Sequence, residues 1–252
     1  MLFAFVSFCG IISSPNERER TMTHFNVAVL QRPDSPTVDE LLYPYDENLS
    51  VEPYVYKTRD EALVEAREDI AKAKEQIVAG NGDKYASELA SHDGDNDEDL
   101  LDWYADEWCE RDRDADGNLL SRYNPESRYD YYTKMERLSF TEWLATGQRE
   151  DEDKLRETWK KISVEGDGFW KPEYYTENYG DEDTFVAMCQ MPAGWAVITP
   201  DGVWHEPGKV GWFATDDATV ESRREWVRDF HEKIVEPYDD GETTVVMLDC
   251  HI

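Results

Sequence analysis

The chain has 252 residues, 40% of them hydrophobic and 13% aromatic, with nine tryptophans. A sequence that rich in aromatics buries a core, so a disordered chain is excluded. Against 57 Asp and Glu stand only 26 Lys and Arg, a formal net charge of −31, which argues against direct binding to nucleic acid or to an anionic membrane and makes a basic protein the natural partner.

An acid-rich proteome, such as a halophile's, produces the same surface excess. Cys9, Cys109, Cys189 and Cys250 lie far apart with no CxxC pair. That spacing suggests neither a disulfide framework nor a zinc knuckle, and it suits a reducing cytoplasm.

Met1 to Ile12 is apolar but falls short of the ~20 residues that span a bilayer. No basic residue precedes it, and Met22 leads into a strand-like run. Residues 1–21 are therefore read as an N-terminal extension and 22–252 as a single α+β domain.

In chain order, Phe25 to Leu30 is a β-rich run ended by Pro33, the first predicted strand. The stretch through Pro36, Pro44 and Pro53 is expected to be an ordered loop. Thr58 followed three residues later by Glu61 is a capping box, and Ala62, Ala66, Ile70, Ala73 and Ile77 trace the apolar stripe of the helix it opens. From about 87 to 183 the regular signals fade into an acidic, aromatic-rich region, expected as an insertion with short helices at Phe140–Leu144 and Leu155–Ile162. Strands are predicted at Thr184–Met191, Trp195–Thr199 and within Val203–Phe213, a helix over Thr219–Val235, and a closing strand over Thr243–Ile252. The order is βαββαβ with a long insertion after the first helix, a ferredoxin-like arrangement in which the first and last strands are neighbours.

Three segments are distinctive. They are Asp116 to Tyr132, containing Asn124-Pro125-Glu126-Ser127-Arg128-Tyr129-Asp130-Tyr131; Thr199 to Phe213, containing Trp204-His205-Glu206 and Gly211-Trp212-Phe213; and the final Asp249-Cys250-His251-Ile252. Together with Leu42 to Leu49 they resemble a family of uncharacterised phage and prophage proteins that carry an Asn-Pro-x-Ser-Lys-Trp-Asp-Trp-like motif and a similar end. Many members of that family follow the motif with Gly-Gly-Arg-Trp, where this chain has Thr133-Lys134-Met135-Glu136. The resemblance implies a mobile-element context and supplies no established chemistry.

Four constellations are candidates for function. Asp249 and His251 share one face of the closing strand, and with His205 they would offer two imidazoles and a carboxylate to a divalent metal. Cys250 points to the opposite face. Asp112-x-Asp114-x-Asp116-Gly117 opens like an EF-hand loop, but position twelve is Tyr123, so a solvated turn is the plainer reading. Asn124, Pro125, Arg128 and Asp130, with Trp204 and Trp212, could form an aromatic recognition loop, with Arg128 and Asp130 as a local ion pair. Asp93, Asp95, Asp97, Asp99, Asp102 and Asp106 head an acidic run whose spacing could imitate nucleic-acid phosphates.

No glycine-rich nucleotide loop, GxSxG elbow or HExxH helix is found. The sequence is therefore expected to encode a phage-related acidic binding protein in the cytoplasm. Its partner would be a basic host protein, inhibited by nucleic-acid mimicry. A small metal-dependent enzyme using His205, Asp249 and His251 is the alternative, and a phage protein with a structural role is the third reading.

Overall fold

The computed structural model describes residues 11–12, 24–147, 151–211 and 215–252; at 11, 12 and 107 only the backbone is described. The chain divides into two compact units, one of residues 1–49 with 125–252 and the other of residues 50–124. Each is α+β. The region 87–183, expected as one insertion, is shared between them.

The larger unit is built on a mixed sheet. Strand β2 (His24–Gln31) lies between β8 (Thr244–His251), antiparallel over eight residue pairs, and β6 (Ala196–Ile198), parallel. Strand β5 (Tyr131–Ser139) adds to the far side of β8, with a bulge between Lys134 and Arg137, and β7 (Trp204–His205) adds to β6. The order is thus β5-β8-β2-β6-β7, and β1 (Ile11–Ile12) pairs with the start of β2. The rest of the N-terminal extension lies outside the described residues.

Both faces of β2 are covered, which is why it reads as a nearly continuous apolar run. Phe25, Val27 and Val29 face Val246, Leu248 and Cys250, under α1 (Val38–Leu42) and Trp195. Ala28 and Leu30 face Val245 and Met247, under Phe140 and Trp143 of α5 (Phe140–Gly147) and Phe230 of α9 (Val220–Phe230). Burying such side chains contributes about 1.5–3 kcal/mol each. Three further helices, α6 (Glu152–Glu165), α7 (Pro172–Tyr179) and α8 (Glu182–Cys189), pack Leu155, Trp159, Tyr175, Tyr179 and Phe185 into a separate cluster that also receives Trp226. Helix α6 ends at Gly166, whose φ of +72° suits glycine.

Three expectations are corrected. Of residues 184–191, those up to Cys189 form most of α8 rather than a strand: Asp181 accepts from the Thr184 N–H at 2.8 Å, and Glu182 and Asp183 occupy the first turn. The segment expected as a loop contains α1, opened by a Thr37–Glu40 capping box. The expected insertion also hides β5, whose mostly exposed residues show no alternation.

The smaller unit pairs β3 (Tyr54–Lys57) with β4 (Leu119–Ser121) and carries α2 (Arg59–Val78), α3 (Lys84–Ser91) and α4 (Asp97–Trp103). Thr58 caps α2 with Glu61, as its spacing predicts. Ala62, Ala66, Ile70 and Ala73 are buried against Leu89, Leu100 and Trp103, whereas Ile77 is exposed.

Candidate functional site

The register of three strands assembles a polar patch at one end of the sheet. His24 on β2 lies directly opposite His251 on β8, which lies opposite Tyr131 on β5; one step inward, Asn26, Asp249 and Thr133 form the next row. Because side chains alternate along a strand, both rows share the face that carries Ala28 and Met247.

Two carboxylates orient the two imidazoles. His251 Nδ1 donates to Asp130 Oδ1 at 2.6 Å, and His24 Nδ1 lies 3.2 Å from both oxygens of Asp249. An ionised carboxylate only accepts, so each Nδ1 carries a proton, and in the neutral imidazole each Nε2 then presents a lone pair. The rings are 5.2 Å apart at 73°, and Tyr131 stacks on His251 from its other side at 4.3 Å. Asp130 is itself fixed: its N–H donates to the His251 carbonyl at 2.9 Å, and its carbonyl accepts from Asn48 Nδ2 at 3.0 Å.

His251 is 3% exposed, and its Nε2 is buried with no hydrogen-bond partner; the same holds for Asn26 Oδ1. An orphaned buried polar atom costs about 1–3 kcal/mol and calls for an explanation. Cys250 points to the opposite face, where burial pushes its thiol well above the ordinary value.

His205 does not join this group. Its strand, β7, lies three strands from β8, roughly 14 Å at about 4.8 Å per strand. His205 Nε2 sits 3.4 Å from Thr199 Oγ1, and burial lowers the pKa of its imidazole. The expected set His205, Asp249, His251 is therefore corrected. Asp249 and His251 are brought together with His24 and Asp130 instead. Among the described residues no three His, Cys, Asp or Glu side chains are grouped to hold a metal ion.

The expected recognition loop is also redistributed. Asn124 belongs to the smaller unit and Pro125, Arg128 and Asp130 to the larger, while Trp212 lies outside the described residues. Arg128 does not pair with Asp130 but donates from Nε to Glu206 Oε1 at 2.8 Å. With Trp204, Trp226 and Phe230 these two line a cleft of about 340 Å³. Burial raises the Glu206 carboxyl against the opposing pull of the Trp204 indole and Arg128. Even so, Trp204 Nε1 and Glu206 Oε2 are buried without closing a hydrogen bond of normal geometry.

Much of the acidic run has partners within its own unit. Asp93 pairs with Lys74 at 2.6 Å, Asp95 with His92 at 2.7 Å, and Asp97 with Arg67. Arg113 bridges Asp102 at 2.5 Å and Asp106 at 3.5 Å. Asn96 caps α4 and donates to Asp99 at 2.7 Å. Asp114 closes a turn: its oxygens accept from the Asp116 and Asn118 N–H groups and from Asn118 Nδ2, which holds its carboxyl below the usual range. Its lone pairs serve the backbone, as in an Asx turn.

Sequence reasoning missed His24. Its signal is parity: it lies two residues before Asn26, on the strand expected to neighbour the last one. Compared with known proteins, the chain matches no family model, no curated protein and no solved structure.

Proposed function

We propose that the protein is an enzyme whose reactive centre is the His24–His251 pair, in the hydrolytic or proton-transfer class. One observation carries this reading: two imidazoles 5.2 Å apart, each held through Nδ1 by its own carboxylate, with the buried Nε2 of His251 left without a partner. Most buried polar side-chain atoms find a partner, and one that does not calls for an explanation, a catalytic role among them. Carboxylate-oriented imidazoles with free Nε2 atoms are the form in which histidine accepts and returns protons.

The test compares wild type, His24→Gln and His251→Gln on chromogenic esters, phosphodiesters, glycosides and amides. Activity lost in both variants supports the reading. An activity that survives both substitutions sinks it.

The second reading is a phage-related acidic binding protein acting on a basic host protein in the cytoplasm. The −31 charge favours it, since Asp and Glu outnumber Lys and Arg in both units. Among the described residues Cys109 and Cys250 form no disulfide, which suits a reducing compartment. The mimicry version draws little from residues 93–106, whose carboxylates are engaged within their own unit. Among the described residues no helix is long and apolar enough to cross a membrane. Affinity for a captured basic protein that does not fall between low and high salt would count against this reading. For the sheet, the ferredoxin-like proposal rests on the β2–β8 pairing, while the parallel β2–β6 pair departs from it.

A further inference from the structure

We infer that His24 and His251 form the protein half of a site for a borderline divalent transition metal, bound through their two Nε2 atoms. The inference rests on the sheet end being the functional centre.

Three observations converge on it. First, both imidazoles donate Nδ1–H to a carboxylate, His24 to Asp249 and His251 to Asp130. That outer-shell arrangement orients a metal-binding histidine and raises its basicity. Second, the lone pair of His251 Nε2 is buried and unused, and no hydrogen bond among the described residues engages His24 Nε2. Third, the spacing fits. A tetrahedral ion about 2.0–2.1 Å from two imidazole nitrogens leaves the ring centres roughly 5 Å apart, and these rings are 5.2 Å apart.

Imidazole ligands suit zinc, copper and nickel better than magnesium or calcium. Two protein ligands leave the remaining positions to water or substrate, an open coordination unlike the closed four-ligand set of a structural zinc and one protein ligand fewer than a catalytic zinc usually has. Asn26 Oδ1, a second unpartnered acceptor on the same face, is suited to receive a hydrogen bond from a metal-bound water.

The experiment titrates the metal-free full chain with Zn²⁺, and in parallel with Cu²⁺, in excess Mg²⁺ to occupy surface carboxylates. Calorimetry reads affinity and electron paramagnetic resonance of the copper form reads nitrogen coupling. The expected result is a saturable site with coupling from two imidazole nitrogens. Binding is lost in H24Q and weakened roughly 10- to 100-fold in D130N. His24 is about one-third exposed, so H24Q is the variant least at risk of misfolding, and circular dichroism verifies its fold. No saturable binding above the magnesium-resistant background, or binding unchanged in H24Q, overturns the inference. Activity that needs both histidines in metal-free protein would also overturn it, while leaving the enzyme reading intact. Metal binding with an activity indifferent to both histidines does the reverse.

Discussion

The ring of His251 lies nearly flat against that of Tyr131, with 16° between their planes, while the residue before that tyrosine, Asp130, holds the imidazole Nδ1. One dipeptide at the start of β5 thus sets both the plane and the proton position of a buried histidine.

Replacing Asp130 with Asn tests that control. The carboxamide can turn its NH₂ toward Nδ1, so the proton is expected to move to Nε2. Nitrogen-15 chemical shifts of His251 should report Nδ1–H in wild type and Nε2–H in the variant. Because Asp130 is one-third exposed, the stability loss should be about 1 kcal/mol in urea unfolding. An unchanged tautomer would falsify the proposed control.

Arg223 and Asp216 form a buried ion pair at 2.7 Å, with side chains 1% and 4% exposed, and the guanidinium also donates to the Ala218 carbonyl. Asp216→Asn leaves that cation uncompensated between the rings of Trp195 and Tyr179. The expected cost is about 3–5 kcal/mol, read from the urea midpoint at constant slope. A loss below roughly 1 kcal/mol would mean that water reaches the guanidinium.

Glu206 gives the pH dependence. Burial outweighs Arg128 and raises its folded pKa above the ordinary 4.5, so the folded state holds this proton more tightly than the unfolded state does. Its contribution is fully present below about pH 4 and is lost as pH rises through the folded value. Glu206→Gln should remove that slope. Urea unfolding from acid to neutral pH should show the stability of wild type falling relative to the variant. The opposite trend would show Arg128 dominating burial.

The two Thr-x-x-Glu capping boxes offer a paired measurement. Thr58→Ala and Thr37→Ala each remove an N-cap, at a cost of about 1 kcal/mol. They do so in different units. Hydrogen exchange should show the first loosening α2 while α1 stays protected, and the second doing the converse. Loss spread equally over both units in either variant would show that they unfold together.

Those boxes also mark how far the sequence could be read. Thr58–Glu61 was legible because a long apolar stripe follows it, whereas Thr37–Glu40 precedes only five helical residues among prolines. The apolar run Thr184 to Cys189 is ambiguous by periodicity alone, and the deciding signal was the cap at Asp181. Strand β5 could not be seen because none of its residues is buried, so no apolar period marks it. At the candidate site, strand parity correctly put Asp249 and His251 on one face. The error was to seek the second histidine in the 195–205 hairpin, which attaches to the far side of β2. Pairing the first strand with the last places His24 opposite His251, but only once their register is known.

That pairing also brings His24 against Asp249, 225 positions apart. During translation β2 leaves the ribosome early and must wait for β8, which fills the gap between it and β5. Until residue 251 emerges, a strand apolar on both faces has one edge bare, an invitation to chaperones and to neighbouring nascent chains. Residues 50–124 make their contacts within a short span and are free to fold while the rest is still being made.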